Sequence, residues 1–220
     1  MDDLKKFQKE NPAKLVQHPL YDNFGNIISK AEAREKLGVG SQESIVLFFG
    51  FIRKYKGLDL LLHAMADERI KQAGIKLLVA GEFYEDAKSY HELIDKLRIK
   101  GNLILKTDFI PDSEVKYYLC AADAVIQPYK NATQSGVTPL AYHFEKPMIV
   151  TNVGGLPSLV PHEKAGLVVE PEPKAIADGI LKFYQLGENY FIPHLRKEKK
   201  KYSWINMVNT ITALANDLQK

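Results

Sequence analysis

Short apolar runs alternate with stretches of helical periodicity from residue 45 onward, and this alternation constrains the fold more than any other feature. The apolar runs are nearly continuous rather than alternating in polarity, which is typical of strands covered on both faces. Between them, Leu58, Leu61, Leu62 and Met65 recur at the spacing of one buried helix face. This alternation predicts a doubly wound, Rossmann-like α/β domain whose parallel sheet has about six strands, with helices on both faces. The predicted strands are 44–49, 75–80, 103–105, 124–127, 148–151 and 166–169; the predicted helices are 30–37, 58–70, 85–97, 113–121, 136–144, 174–186 and 203–218.

The two ends of the chain depart from the alternation. Residues 1–43 have a loop-rich texture with one short helical pattern, and the alternation stops after Glu188. We interpret the basic run at 196–201 as a solvated linker face, with an anionic membrane surface as the alternative. We therefore predict a connecting segment with the first helix at 1–43, a Rossmann-like core at 44–188, and C-terminal helices that close the same domain at 189–220.

Composition argues against several classes of protein. A formal net charge of +3 is too small for the concentrated basic face that nucleic-acid binding needs. The single cysteine, Cys120, excludes a disulfide framework and fits a reducing compartment. No apolar stretch approaches the roughly 20 residues that span a bilayer, and the charged N-terminus lacks a signal-peptide pattern. We therefore expect a cytoplasmic protein.

The loop after the first strand is the strongest candidate for an anion site. Ligands of open parallel sheets bind beyond the carboxyl ends of the strands, where helix N-termini favour phosphate. Residues 50–57 place Arg53, Lys54 and Lys56 between two glycines, directly before a helix. Arginine offers a planar fork and lysine a mobile point charge, which together suit a diphosphate. The alternative is an exposed basic loop.

Loops after the next two strands give weaker signals. Gly81 and Glu82 follow the second strand, and an ordinary turn there is as good an interpretation as a ligand contact. Phe109 and Ile110 follow the third strand and offer backbone groups and an aromatic wall to a nucleotide base.

The loop after the fourth strand is polar and ends in a helix start built from small residues. Ser135 and Gly136 would let backbone N–H groups approach an anion closely, unless residues 127–138 are simply a polar loop. The turn at 152–157 contains a glycine pair that is either conformational or leaves room for a ligand. The chain has neither a G-x-G-x-x-G motif after the first strand nor a Walker P-loop, which weakens dehydrogenase and NTPase interpretations. It also has no H-E-x-x-H motif or clustered metal ligands.

Taken in order, three segments resemble the donor-binding domain of the group 1 (family 4) glycosyltransferases, which have the GT-B fold. They read FGFIRKYKGLDLL at 49–61, AADAVIQP at 121–128 and KPMIVTNVGGLP at 146–157. The resemblance extends from about His18 to the C-terminus. It implies an enzyme that binds a nucleotide sugar and transfers the sugar to an acceptor, usually with retention of configuration and without a metal. It also implies that Lys56 neutralises the donor diphosphate as it leaves.

The chain departs from that family at two positions of the expected site. The family arginine usually follows the first glycine, where this chain has Phe51, so we expect Arg53 to substitute for it. The family's paired glutamates should fall near Ala132 and Leu140, and neither residue is acidic. Phosphate contact is therefore expected at the helix start instead. The resulting donor-binding prediction comprises Gly50, Phe51, Gly81, Glu82, Phe109, Ile110, Gln134, Ser135, Gly136, Val137, Thr138 and Leu140, with Arg53 and Lys56 as catalytic residues.

Length is a third departure. Members of the family carry an N-terminal acceptor domain, commonly with a catalytic histidine, and residues 1–43 are too short to form one. We expect that domain to be missing, the isolated chain to be inactive, and the six histidines to be structural or exposed. The predicted function is the donor domain of a retaining glycosyltransferase that uses a UDP- or GDP-type sugar without a cofactor. Its expected setting is polysaccharide or glycoconjugate synthesis, in the cytoplasm or at the inner face of the membrane, where the full-length enzyme would associate peripherally.

Two alternatives stay open at this point. The first is a sugar-nucleotide epimerase of the same two-domain architecture, although epimerases need acid/base residues that these loops do not obviously supply. The second is a non-catalytic module that binds a nucleotide or a partner, which the missing glutamate pair slightly favours.

Overall fold

The structure, a computed structural model, describes residues 13–14, 16, 18–21 and 23–218. Most of them belong to one layered α/β arrangement. The helices and strands in chain order are α1 (Lys30–Leu37), β1 (Ile45–Phe49), α2 (Leu58–Met65), α3 (Glu68–Gln72), β2 (Lys76–Ala80), α4 (Lys88–Leu97), β3 (Leu103–Lys106), α5 (Val115–Ala121), β4 (Ala124–Gln127), α6 (Val137–His143), β5 (Met148–Thr151), α7 (Leu156–Leu159), β6 (Gly166–Val169), α8 (Pro173–Leu186), α9 (Glu188–Lys199) and α10 (Trp204–Leu218).

The described residues form one six-stranded sheet in the order β3-β2-β1-β4-β5-β6. Every strand pairing in it is parallel. The prediction of a doubly wound Rossmann-like domain is confirmed, and the bounds predicted for β4, β5 and β6 match the structure. The chain order reverses between β1 and β4, and the carboxyl ends of these strands form the switch point where such sheets bind ligands. We call this side of the sheet the carboxyl edge and the opposite side the amino edge.

Strand β1 shows why its sequence is continuously apolar. Ile45 and Leu47 pack into the apolar layer on one face of the sheet, whereas Val46 and Phe48 pack into the layer on the other face. Because helices cover both faces, the strand has no solvent-facing side, and its residues do not alternate between apolar and polar. The sheet therefore sits in the middle of the molecule, and its two edges are left for polar chemistry.

One predicted helix proves to be two. The periodicity predicted a single helix over 58–70, but α2 ends at Met65 and α3 begins at Glu68. Asp67 accounts for the break, because its carboxylate accepts a hydrogen bond from the Arg69 N–H and caps the new helix. A short acidic side chain that bonds nearby backbone favours a helix start over a helix interior.

The basic run at 196–201 was predicted as a linker face, and the linker part of that prediction is wrong. Most of the run lies in α9, which begins at Glu188. Pro193, a residue that usually ends or kinks a helix, hid this helix in the sequence. Phe191 and Leu195 are fully buried one turn apart, and their packing outweighs the proline. Most cations of the run still face solvent; Arg196, for example, is 63% exposed and ion-paired with Glu145.

The predicted C-terminal helix exists as α10, but it adds nothing to the core. None of its residues is buried, and Trp204, Val208 and Ile211 are each more than half exposed. Burial in the C-terminal region comes instead from α9 and from Tyr202. Among the helices that the structure describes, none is long and apolar enough to cross a membrane.

Candidate functional site at the carboxyl edge

The loop after β1, residues 50–57, carries a cation to the start of α6. Gly50 adopts a φ of 90°. A Cβ atom on Gly50 would lie 3.3 Å from the Lys56 Nζ atom and 3.8 Å from Val137. The ammonium group therefore occupies the place of a missing side chain, and Gly50, Lys56 and Val137 come together as predicted.

Lys56 is a cation without a counterion. Within the described part of the chain, its ammonium group has neither a hydrogen bond nor an ion pair, and its nearest aromatic neighbour is Tyr129, 6.0 Å from Nζ to the ring centre. Burial, and after it the charge of Arg53, lower the pKa of Lys56 from 10.5 to about 8. A desolvated cation held beside a second cation is a strong attractor for an anion.

Arg53 lies against an aromatic ring instead of an acid. Its guanidinium carbon is 4.0 Å from the centre of the Tyr84 ring, which is within the range of a cation–π contact. Its Nε atom is buried and has no hydrogen-bond partner among the described residues. The two predicted catalytic cations are thus close enough for one to shift the pKa of the other, and both lack an acidic partner in the described structure.

Backbone contacts fix the loop after β2, residues 81–87, against the loop after β1. The Ile52 N–H donates to the Glu82 carbonyl at 2.8 Å, and the Tyr84 N–H donates to the Ile52 carbonyl at 3.1 Å. Gly81 permits this approach: it has a φ of 132°, and a Cβ there would lie 2.6 Å from the Gly50 oxygen. The conformation and the short distance both require glycine.

A cavity of 240 Å³ opens between these loops and the loop after β3. Most of the residues that line it are aromatic or aliphatic, and two acidic residues, Glu82 and Asp112, are among them. Two of its aromatic side chains are unusually exposed: Phe51 is 50% and Phe109 67% accessible. Seven of the predicted donor-binding residues line this one cavity, namely Gly50, Phe51, Gly81, Glu82, Phe109, Ile110 and Leu140.

The predicted phosphate contacts at the start of α6 are less free than the sequence suggested. The Ser135 hydroxyl accepts a hydrogen bond from the Val137 N–H and pairs with the Tyr129 hydroxyl. The Thr138 hydroxyl donates to the Gln127 side chain at 3.1 Å. Both hydroxyls are therefore committed inside the protein. Gln134 and Gly136 are exposed, and neither lines the cavity; their contact with a donor stays a prediction.

A larger cavity of 760 Å³ lies at the amino edge, where Ser44, Tyr184 and Arg69 contribute to its lining. We give the smaller cavity priority because the charges around the larger one neutralise each other. Arg69 is ion-paired with both Asp67 and Asp178. A site whose charged groups are already matched has less to offer a charged ligand than one with unmatched cations.

Sequence reasoning missed five residues at the site. Phe24, Phe49, Asp112 and Val115 line the cavity, and Tyr84 supports Arg53. The only signal for Tyr84 was its place two residues after Glu82, which does not reveal which loop it touches.

Of the histidines, His143 hydrogen-bonds the Gly25 carbonyl. Among the described residues, no group of three or more His, Cys, Asp or Glu side chains could hold a metal ion, and metal independence stays a prediction.

Comparison with known proteins matches this chain to one family. The family described as "Glycosyl transferases group 1" matches residues 29–202. A D-inositol 3-phosphate glycosyltransferase of Segniliparus rotundus is 33% identical over 144 residues, which cover 64% of this chain and 32% of that protein. The match therefore covers about a third of that relative's length.

Solved structures extend the likeness to the fold. The sucrose-phosphate synthase of Thermosynechococcus elongatus superposes with a TM-score of 0.80 at 20% identity, covering 99% of this chain and 56% of that one. HepE of Anabaena, solved in complex with UDP, superposes with a TM-score of 0.80 at 18% identity, covering 93% of this chain and 57% of that one. The arrangement of the sheet and helices is thus that of one domain of a GT-B enzyme.

Proposed function

The chain belongs to the group 1 glycosyl transferases, and we propose that the carboxyl edge of its sheet binds the nucleotide diphosphate sugar from which such a transferase takes its sugar. The observation that carries the proposal is that two neighbouring cations, Arg53 and Lys56, lie beside an aromatic cavity and have no counterion among the described residues. Membership of the family supports it, as does the fold shared with HepE, a protein solved with UDP.

The cations act on the leaving diphosphate. As the bond from the sugar to the diphosphate breaks, negative charge accumulates on the departing oxygen, and preorganised cations stabilise that charge more than they stabilise the ground state. Lys56 supplies a mobile point charge and Arg53 a planar fork, so the pair can follow the charge as it moves onto the diphosphate. Because Lys56 is partly desolvated, its attraction for phosphate is less weakened by water than that of a surface lysine.

The 240 Å³ cavity receives the nucleoside. Its exposed aromatic side chains, Phe51 and Phe109, offer flat faces to a base, and the carboxylates of Glu82 and Asp112 can accept hydrogen bonds from ribose hydroxyls or from N–H groups of the base. Leu140 occupies the place where the family usually has a glutamate, so in this proposal the ribose contact comes from a carboxylate on another loop. The donor is of the UDP or GDP type.

The full reaction needs an acceptor site that we place outside this chain, in a second domain. We propose that the sugar is transferred with retention of configuration and without a metal or cofactor, in the synthesis of a polysaccharide or glycoconjugate. The corresponding setting is the cytoplasm or the inner face of the membrane. Each of these points rests on the resemblance to the family, and the first experiment tests the donor binding on which they all depend.

That experiment compares two lysines of one loop by calorimetry with UDP, GDP and ADP and with the parent nucleosides. Lys56→Met should weaken binding of the diphosphates about 10- to 100-fold, as expected for a charge-assisted contact, and leave nucleoside binding within about twofold. Lys54→Met is the matched control, because Lys54 lies two positions away, is 84% exposed and pairs with Glu85. Lys54→Met should weaken diphosphate binding by about twofold or less.

Three outcomes would overturn the proposal. The first is that no nucleoside diphosphate binds the wild-type chain. The second is an equal loss of nucleoside and diphosphate binding in Lys56→Met, which would mean that the residue supports the cavity and not the phosphates. The third is an equal effect of the two lysine variants, which would reduce Lys56 to part of a diffuse positive surface.

A further inference from the structure

Arg53 is the second of the two cations, and its guanidinium group lies against the ring of Tyr84. We propose that Tyr84 is a positioning residue, whose ring holds the Arg53 guanidinium beside Lys56 before an anion arrives. The inference rests on the proposed function for the identity of the anion, a diphosphate. The arrangement of the three side chains can be tested without any ligand.

The Tyr84 ring holds the Arg53 guanidinium in the way that an acidic side chain often does in other proteins. The guanidinium carbon lies 4.0 Å from the Tyr84 ring centre, and the buried Arg53 Nε has no hydrogen-bond partner among the described residues. Phe51 meets the Tyr84 ring edge-on, with ring centres 6.4 Å apart and planes at 72°. The aromatic face orients the guanidinium without neutralising it, which a carboxylate would do.

Tyr84 is itself placed by backbone contacts and not by burial. Its side chain is 65% exposed, so it contributes little to the core. Its N–H donates to the carbonyl of Ile52, the residue next to Arg53 in the chain. The register between the two loops thus fixes which side chain lies against Arg53.

Such support is useful because two neighbouring cations repel each other. The charge of Arg53 contributes to the lowered pKa of Lys56, so a free guanidinium would move away toward solvent in the absence of an anion. A ring beneath it keeps both charges in position, and the ligand then meets a site that needs little rearrangement. A phenylalanine would serve equally well, because the face of the ring makes the contact and the hydroxyl group does not.

The experiment measures binding of inorganic pyrophosphate and of UDP and GDP at pH 7 by calorimetry. We expect Tyr84→Ala to weaken each roughly 3- to 10-fold, the range of a partly exposed cation–π contact, and Tyr84→Phe to stay within twofold of wild type. In an Arg53→Ala background, Tyr84→Ala should have no further effect, since the residue acts through Arg53. Tyr190→Ala, at a 44% exposed tyrosine of α9, is the control for loss of a surface aromatic.

A second readout needs no ligand. The titration of Lys56, followed by NMR of selectively labelled lysine, should move upward from about 8 in Tyr84→Ala, because Arg53 is released from its neighbourhood. It should not move in Tyr84→Phe. Tyr129, whose ring centre is 6.0 Å from the Lys56 Nζ atom, stays neutral over this range because burial raises its pKa to about 12. Thermal unfolding of each variant checks that the fold is intact.

The outcomes separate the inference from the proposed function. Equal losses in Tyr84→Phe and Tyr84→Ala, a further loss in the Arg53→Ala background, or an unchanged Lys56 titration in Tyr84→Ala would each overturn the positioning role. If pyrophosphate and nucleoside diphosphates fail to bind wild type, the proposed function falls, whereas the titration still decides whether Tyr84 positions Arg53.

Discussion

The two edges of the sheet each hold a half-buried lysine, and the pKa values of these two lysines move in opposite directions. At the amino edge, burial lowers the pKa of Lys30, but hydrogen bonds and attraction to Asp123 and Glu188 outweigh burial and leave the pKa above 10.5. At the carboxyl edge, burial acts on Lys56 with no acid to oppose it, Arg53 adds repulsion, and the pKa falls to about 8.

The opposite pKa shifts of Lys30 and Lys56 distinguish a cation that has acidic partners within the fold from one that has none among the described residues. Asp123 sits among groups that complete one another: Lys30 and Arg34 are paired with it, and it accepts hydrogen bonds from the Ile45 N–H and the Tyr184 hydroxyl. In a network of this kind every charge has an opposite partner, and the pairing stabilises one conformation. The cations of the carboxyl edge have no anionic partner among the described residues, and in the proposed function a ligand supplies that partner. Each prediction below alters one edge and uses the other as its reference.

The largest expected effect is at the amino edge. Asp123→Ala removes a carboxylate whose side chain is only 13% exposed and leaves Lys30 and Arg34 without that partner. We expect the free energy of unfolding to fall by about 3–5 kcal/mol, the usual cost of breaking a buried charge network, as measured by urea denaturation at pH 7. Asp108→Ala, at an exposed acid, should change it by less than about 0.5 kcal/mol. A similar loss in both variants would show that the network contributes nothing special.

A pair of glycines compares the backbone at the two edges. Gly38 and Gly57 have almost the same φ, 68° and 69°. A Cβ on Gly38 would meet nothing within 4 Å, whereas one on Gly57 would lie 1.9 Å from the Pro128 carbonyl oxygen. Gly38→Ala should therefore cost about 1 kcal/mol for the left-handed conformation alone. Gly57→Ala should cost at least about 2 kcal/mol more, since the loop must move. Equal costs would mean that the loop carrying Lys56 is not held against β4.

The same substitution at the two lysines should have opposite effects on stability. Lys30→Met leaves Asp123 and Glu188 short of a partner, so the free energy of unfolding should fall by about 1–3 kcal/mol. Lys56→Met removes a desolvated charge that nothing neutralises, so the free energy of unfolding should be unchanged or up to about 1 kcal/mol higher. Chemical denaturation of both variants at pH 7 checks the signs. A loss of more than about 1 kcal/mol in Lys56→Met would show that Lys56 is structural.

The sequence was a good guide to the sheet because both of its faces are buried. A continuous apolar run such as Met148–Thr151 has no other explanation than a covered strand, and its bounds were predicted without error. The sequence predicted side-chain contacts less well wherever a polar side chain had more than one possible hydrogen-bond partner. Ser135 and Thr138 were predicted to contact a phosphate at the start of a helix, but the hydroxyl of each is hydrogen-bonded within the protein.

The contact between Arg53 and Tyr84 is a second feature that could not be predicted from the sequence. The two residues lie on different loops, and their meeting depends on hydrogen bonds between the Ile52 backbone and the loop after β2. Nothing in the order of residues specifies that register. The two cations were predictable, because glycines flank them at the end of a strand. The aromatic ring that supports Arg53 was not.

The smallest effect we predict is a pH dependence that only the carboxyl edge produces. In the unfolded chain Lys56 should titrate near 10.5, and in the folded protein near 8. Between these values the unfolded chain holds a proton that the folded protein has released, so the Lys56 contribution to the free energy of unfolding rises with pH. Lys30 gives no such slope in this window, because its folded pKa lies above 10.5; its contribution is lost only as the pH rises further. Unfolding measured from pH 7.5 to 10 should thus show a rise in wild type that is absent from Lys56→Met.

Ligand binding must show the reverse trend. A diphosphate favours charged Lys56, so its binding should take up a proton near pH 8, and its affinity should fall by up to about tenfold per pH unit above that value. Calorimetry of UDP in two buffers of different ionisation enthalpy measures the proton uptake directly. In Lys56→Met this component should disappear, while Lys54→Met should retain it. A wild-type affinity that is flat from pH 7 to 10 would place the proton elsewhere and remove Lys56 from the phosphate site. The opposed slopes of stability and affinity therefore test one statement, that the cation is uncompensated in the free protein and compensated in the complex.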